Sequence, residues 1–456
     1  MEDLITPKSE KEAIEMLNRY NEDLLPRKFG IAGKLWVTVL CIVIAIGLYN
    51  YIQQLRFGLK VTGLNDTVSW GIYISNFVFF VAVSLVGSLI TAVLNLLNVN
   101  WRAPLTRISE VIAVSAIMFA GLIIIVDMGR PDRILNMFLH GRIQSPIVWD
   151  VIVVMTYMTI SLLLLYFSLL PNIAFCRDRL PNIPKWQRKM YSVLSFGWEN
   201  KPEQYEIIKR AVKILSVLII PVALSIHTVT SWLFATTYRP GWDSTNFGAY
   251  FVAGAFMVGA AAVIAGMSIL RKFYVHYDEY LTDKHFDRMG RLLVLLSFIY
   301  LYFTVNEYFI PGYKMKGDEA EHLRELFTGH YAPMFWSVQI FGMFIPIIVL
   351  LFKKGRKPLP IFIMAVFVII GAWFKRYLIV IPTMLHPFLP LQQIPEASKH
   401  YAPTLAEWSI TGASLAGALL VITLFVRYFP VISIWEIAEE RGIHSDTIYE
   451  HLNEKV

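Results

Sequence analysis

The stretch 127–150, DMGRPDRILNMFLHGRIQSPIVWD, gathers the groups in this chain best suited to proton exchange. It holds Asp127, Asp132, Asp150, Arg130, Arg133, Arg142 and His140. Apolar runs flank it at 111–126 and 151–170. Ionisable groups at the edge of hydrocarbon are costly to keep there and tend to be functional. Asp127 and Arg130 are three residues apart and can meet if the last helical turn persists. Gly129 and Pro131 limit that turn. A salt-bridged helix end accounts equally well for Asp132 and Arg133.

His140 and Asp150 bracket the start of the next helix. A neutral imidazole and a carboxylate there can hydrogen-bond the two polar ends of a quinol head and accept its protons. Asp150 also suits the positive end of a helix dipole, with no further role. Asp243 is a third acceptor candidate, on a short loop with Arg239 and Trp242. Trp70 and Asn76 open the second apolar run. An interfacial Trp is commonly an anchor, and an Asn inside a span needs a partner. His227 lies within a polar helix stretch, SIHTVTSW, and packing alone would explain it. Glu307 sits near the end of the seventh run. Lys375 and Arg376 lie deep in the ninth, where one is expected to snorkel or pair with a carboxylate. Together His227, Glu307, Lys375 and Arg376 are candidates for a proton path.

These groups are positioned by elements of one kind. The chain has 456 residues, of which 56% are hydrophobic and 16% charged, with mean hydropathy +0.53. A soluble chain carries about 25% charged residues. The expectation is an all-α polytopic membrane protein. Its net charge of +7 suits anionic lipid surfaces and requires no nucleic acid. Runs long enough to span occur at 35–53, 70–96, 108–127, 147–170, 212–236, 247–270, 290–312, 333–352, 360–384 and 406–429, which makes ten helices. Helices two to five and six to nine are expected to form two four-helix bundles, with the first and last helices peripheral. The divisions are 1–34, 35–53, 54–236, 237–384, 385–430 and 431–456. Ser9 is expected to cap a short N-terminal helix with Glu12 as its partner, and the tail reads as a surface helix. The polar start does not resemble a signal peptide.

With the N-terminus placed inside, roughly seven in ten of the 41 Lys and Arg fall on the inside. Both termini are then cytoplasmic and the 127–150 connection faces outward. Cys41 and Cys176 are the two cysteines, and no CxxC occurs. That excludes a chain-encoded four-cysteine iron–sulfur cluster and a covalent c-type haem. With His227 the one clearly intramembrane His, a bis-His b-type haem is not expected, nor is a metal.

The motif Asp127-x-Gly129-Arg130-Pro131, followed by Ser145-Pro146-x-x-Trp149, resembles the NrfD/polysulfide-reductase family of membrane subunits. Trp70-Gly71 is similar to the head of that family's first core helix. The ten spans look like the ActC-type branch found in alternative complex III. The resemblance implies a cofactor-free subunit with a quinone pocket in the first bundle, beside a periplasmic iron–sulfur subunit. The pocket would use His140, Asp150 and Asp243, with Arg130 near its mouth and Trp70, Asn76, Asp127 and Arg239 around the quinol. Many family members carry Gly where this chain has Asp150, which adds a titratable group.

The expected function is a quinol-oxidising subunit of a respiratory complex in a bacterial inner membrane, with a menaquinone as compatible as ubiquinone. Its partners would be the iron–sulfur subunit, haem-bearing subunits of the c type and a second NrfD-like subunit. Proton translocation would accompany the reaction where a path crosses the bundles. The alternatives are a secondary transporter, or a quinone-binding anchor of a molybdopterin-type reductase.

Overall fold

The computed structural model describes residues 10–26, 28–96, 101–180, 183–274, 276–386, 400–440 and 442–443. In chain order the helices are α1 (Glu10–Leu24), α2 (Ile31–Phe57), α3 (Ile72–Leu96), α4 (Ala103–Asp127), α5 (Ile134–His140), α6 (Pro146–Arg179), α7 (Lys185–Leu194), α8 (Pro202–Ala235) and α9 (Phe247–Phe273). There follow α10 (Tyr277–Tyr280), α11 (Asp283–Lys314), α12 (Gly317–Phe327), α13 (Ala332–Gln339), α14 (Ile345–Leu351), α15 (Pro358–Met384), α16 (Leu405–Tyr428) and α17 (Ile434–Glu440). A π-helical turn, Ile340–Phe344, joins α13 to α14.

Helix is what an apolar chain must form in hydrocarbon, where backbone groups find no water and bond within the segment. The starts are written locally. Proline stands in the first turn of α4, α6, α8 and α15, where its missing N–H costs nothing. Thr404 and Glu407 form a capping box on α16. Among the described residues, nine helices are long and apolar enough to cross a membrane. They coincide with nine of the ten expected runs. The remaining run, 70–96, is α3, whose stretch Ile72–Leu85 ranks as a shorter apolar helix. Ser9 lies outside the described residues, as do most of 385–405 and of the tail beyond α17.

α3 is the centre of the molecule. It packs on α4, α8, α9 and α15, and its residues from Ile72 to Leu85 are buried throughout. α6 closes against α4 and α8, and α11 against α9 and α14. α2 pairs with α16 and leaves most of its surface exposed. The loops before α3 and α16 meet at one end, where Gly63 N–H donates to Glu407 at 2.7 Å and the Thr404 hydroxyl to the Val61 carbonyl at 3.1 Å. That end also carries α5 and α12. The opposite, basic end carries α1, α7, α10 and α17, tied by contacts such as Tyr280 to Asp23 at 3.1 Å.

Candidate functional site

The site is built on how α4 stops. Gly129 has φ +65°, a conformation open to glycine. A Cβ there would stand 2.9 Å from Leu59 Cγ. This reversal carries Arg130 off the last turn of α4, so the expected Asp127–Arg130 contact does not form. Arg130 instead forks onto Asp132 at 3.0 and 2.9 Å. That hydrogen bond holds the Asp132 carboxyl below the usual carboxylate range, on an exposed surface where such a pair contributes little. Asp127 Oδ1 is buried without a hydrogen-bond partner among the described residues. Its acidic neighbour is Glu407, which Tyr401 also reaches at 2.7 Å.

α5 then runs along the surface and leaves His140 exposed. The Trp149 indole donates to the Ile143 carbonyl, which fastens the connection to the head of α6. Asp150, one turn into α6, is 5% exposed. Its Oδ1 accepts from the Thr230 hydroxyl on α8 at 2.5 Å. The connection therefore does not bring His140 and Asp150 into a hydrogen bond. Thr230, His227 and Phe234 lie on one face of α8 at helical spacing. His227 is buried, with Nδ1 3.4 Å from the Ala223 carbonyl. Phe234 packs edge-on to Trp70 at 5.6 Å and to Trp242 at 5.0 Å, and the two tryptophans stack at 5.8 Å. A buried carboxylate with one hydroxyl donor thus stands a turn from an aromatic wall. Such a carboxylate can accept a proton, and the rings, with Phe234 and Trp242 fully buried, pack on one another.

The other expected residues are placed elsewhere. Asn76 ties three helices, donating to Thr411 and accepting from Trp373, both at 2.8 Å. Arg239 donates to the Met384 carbonyl at 3.0 Å. Asp243 is exposed, and the acid it faces is Glu307. Ser244 donates to Glu307 at 3.0 Å.

Glu307 belongs to a second cluster, between α9, α11 and α15. Lys375 donates to the Tyr308 hydroxyl and lies 4.5 Å from the centre of its ring. Tyr250 stacks on Tyr300 at 5.1 Å, with hydroxyls 3.2 Å apart. Arg376 lies against Gly254, where a Cβ would stand 3.2 Å from Nη2 and 2.8 Å from Tyr300. Both cations are buried, at 2% and 4% exposure. Neither snorkels, and neither reaches a carboxylate within 4 Å among the described residues. Aromatic faces and hydroxyls take the place of the expected anion. A cavity of about 30 Å³ lies beside them, lined by Glu307, Tyr308, Glu319, His322 and Thr383. That is room for a water or two, not for a quinone ring.

Sequence reasoning missed His322. It sits in a polar connection, yet shares the inward face of α12 with Leu326, four residues on. Burial, then His386 and Lys375, push its pKa down to about 3, and Nδ1 has no hydrogen-bond partner among the described residues. It also missed Arg107 and Glu110, an i, i+3 pair at the head of the third apolar run, within α4. Both are 1% exposed. Arg107 donates to the Ser168 carbonyl at 2.7 Å, and its charge is 3.9 Å from Glu436 on α17. Among the described residues no three His, Cys, Asp or Glu side chains converge to hold a metal.

The comparisons with known proteins agree with the motif pair. The chain is 28% identical over 282 residues to a Halobacterium salinarum protein named as a dimethyl sulfoxide reductase membrane subunit, covering 61% of each chain. Against a selenate reductase subunit of Mesobacillus selenatarsenatis it is 24% identical, over 87% of this chain and 94% of the relative. Against the Hdr-like menaquinol oxidoreductase integral membrane subunit of Archaeoglobus fulgidus it is 22% identical, over 89% and 95%. The family model described as polysulphide reductase, NrfD, matches residues 60–387, well over half of the chain. The chain belongs to the NrfD family of polysulphide-reductase membrane subunits.

Proposed function

We propose that this protein is the quinol-oxidising membrane subunit of a respiratory electron-transfer complex, in the ten-helix branch similar to that of alternative complex III. In this reading α3 spans with the nine other helices. One bundle comprises α3, α4, α6 and α8, and the other α9, α11, α13–α14 and α15. Contacts of α3 with α4, of α6 with α8 and of α9 with α11 and α15 fall within these groups, while α3 also packs across to α9 and α15. Both termini are cytoplasmic, and Asp150 lies near the periplasmic face of a bacterial inner membrane.

The observation that carries the proposal is Asp150, a buried carboxylate at the membrane edge with Thr230 as its donor. A quinol arriving from the bilayer is met by Asp150 on α6 and Thr230 on α8, with Trp70, Phe234 and Trp242 packed behind them. Oxidation releases two protons and two electrons. Asp150 accepts a proton while Thr230 keeps the carboxylate oriented. His140, exposed beyond it, passes protons to water, with Asp243 as a further acceptor. Asp127, Arg130 and Arg239 shape the surrounding connections. The electrons leave for an iron–sulfur cluster in a periplasmic partner, with haem-bearing subunits of the c type and a second NrfD-like subunit beyond it. This chain contributes no haem, cluster or metal. The relative from Archaeoglobus fulgidus is named for menaquinol, which supports menaquinol as the substrate. His227 on α8 of the first bundle, with Arg376, Lys375 and Glu307 of the second, forms the proposed proton path across the two bundles, with the His322 cavity at its outer end.

The test is steady-state menaquinol oxidation by the purified complex carrying Asp150→Asn. Assembly with wild-type turnover would end the proposal. A second reading is a quinone-binding anchor of a molybdopterin-type reductase. It is favoured by the two relatives named as reductase subunits. The same quinol site serves both readings. The soluble proteins that co-purify separate them, and a chain that functions alone would favour a secondary transporter.

A further inference from the structure

The geometry points to α7, with the turn after it, as a membrane-surface anchor that binds anionic phospholipid head groups at the basic end of the molecule. This rests on no part of the quinol reading.

Two rulers fix the height of α7. Along α6, Tyr166 lies about 20 residues from Pro146, or about 30 Å, the thickness of a hydrocarbon core. The Tyr166 hydroxyl donates to the Leu194 carbonyl at 2.8 Å. Along α16, Tyr428 lies about 20 residues beyond the exposed Trp408, again about 30 Å. The Tyr428 carbonyl accepts from Tyr191 at 2.6 Å, and its ring meets Trp186 edge-on at 5.7 Å. α6 runs on to Arg179, past the membrane boundary, and the chain then folds back. Both ends of α7 therefore return to the boundary, and the helix lies along it.

Its two faces differ. Gln187 and Tyr191 are buried against the protein. Trp186, Lys189, Val193 and Phe196 recur at helical spacing on the opposite side, and all are exposed. Phe196 is 88% exposed and Val193 64%. Phe196 and Gly197 have φ +48° and +73°, a tight turn that holds the phenyl ring outward. An apolar tip at this height, a Trp, and the cations Lys185, Arg188 and Lys189 are the parts of an interfacial helix. The nearby acids Asp178 and Glu199 are already paired with Arg177 and Lys201. Among the described residues of α7 and its flanks the charge left over is positive, and its complement is an anionic head group.

The test uses the full chain with Cys41→Ser and Phe196→Cys, carrying a nitroxide at 196; Cys176 is buried. It is reconstituted in phosphatidylcholine vesicles with and without phosphatidylglycerol. Collisions with oxygen and with a water-soluble nickel chelate report depth. The expected result is high oxygen and low nickel accessibility, deeper with phosphatidylglycerol. Free access of nickel overturns the proposal. So does shielding from both reagents, which would mean a protein surface covers the turn. In a second arm, Lys185→Gln, Arg188→Gln and Lys189→Gln together should lower the preference for phosphatidylglycerol by roughly a hundredfold on the scale of about a factor of five to six per cation. An unchanged preference overturns the assignment of the head group.

Discussion

At the scale of single residues, what matters is which polar atoms are buried and what they touch. Asp150 touches Thr230, and His140 touches solvent. By type both could accept a proton, and burial now ranks Asp150 above His140. Asp150→Asn keeps the shape and removes the proton acceptor. General bases contribute about 10²–10⁴-fold, so quinol oxidation should fall at least about tenfold with assembly intact. Loss of rate at unchanged apparent affinity is the signature of an interaction that strengthens in the transition state. Thr230→Val removes the carboxylate's donor and should cost about tenfold. His140→Ala should cost less than either, and Asp132→Asn should be near neutral. Wild-type turnover in both Asp150→Asn and Thr230→Val would move the site elsewhere. His322 offers a test by pH. Its folded pKa, about 3, lies below the ordinary value near 6.5. Between those values the unfolded chain binds the extra proton, so stability falls as pH drops through that window. In His322→Gln, thermal unfolding should lose less between pH 6.5 and pH 4 than in wild type. Equal acid sensitivity would show that His322 is not held neutral by burial.

At the scale of elements, small residues decide which helices can approach. Gly254 lets α9 sit against Tyr300 and the Arg376 guanidinium. Gly254→Val should overpack that seam at about 1–3 kcal/mol, read as a lower unfolding temperature of the purified protein. A matching loss of proton release per quinol, with quinol oxidation kept, would tie the cluster to proton transfer. Asn76 does the opposite work, joining α3 to α15 and α16 through two hydrogen bonds. Asn76→Leu leaves the Trp373 indole unpaired and should cost about 1–3 kcal/mol. Quinol turnover in the assembled fraction should be close to wild type, because the amide is engaged in packing. A selective loss of quinol affinity instead would return Asn76 to the binding site.

At the scale of the whole molecule, the two ends are chemically distinct. Cations gather where α1, α7, α10 and α17 lie, and the candidate site lies at the other end. By the positive-inside rule, reporter fusions at 140 and 320 should read outside, and fusions at 190 and 280 inside. One inverted pair would remove the basis for a periplasmic quinol site. The same view predicts the optical and iron content of the isolated chain. Purified without partners, it should show no haem band and no stoichiometric iron, and iron in stoichiometric amount would overturn the assignment of electron transfer to a partner.

The sequence by itself determined that the chain is helical and membrane-embedded, because long apolar runs have one way to satisfy their backbone in hydrocarbon. It located the runs, since proline and polar caps mark their starts. It also carried the family, through Asp127-x-Gly129-Arg130-Pro131 and Ser145-Pro146-x-x-Trp149. Only the tertiary structure decided the partners of each polar group. Spacing allowed Asp127 to meet Arg130, but the left-handed turn at Gly129 sent Arg130 to Asp132. By type, Lys375 and Arg376 are cations in need of an anion, and Tyr250, Tyr300 and Tyr308, distant in sequence, surround them instead. The i, i+4 spacing of His322 and Leu326 marks a common face, but only the packed molecule shows that α12 turns this face into the cavity beside Glu307. Periodicity reports which face of one helix is buried. Which face of another helix it meets is a property of the packed molecule, and there the acceptor at Asp150 found its donor in Thr230.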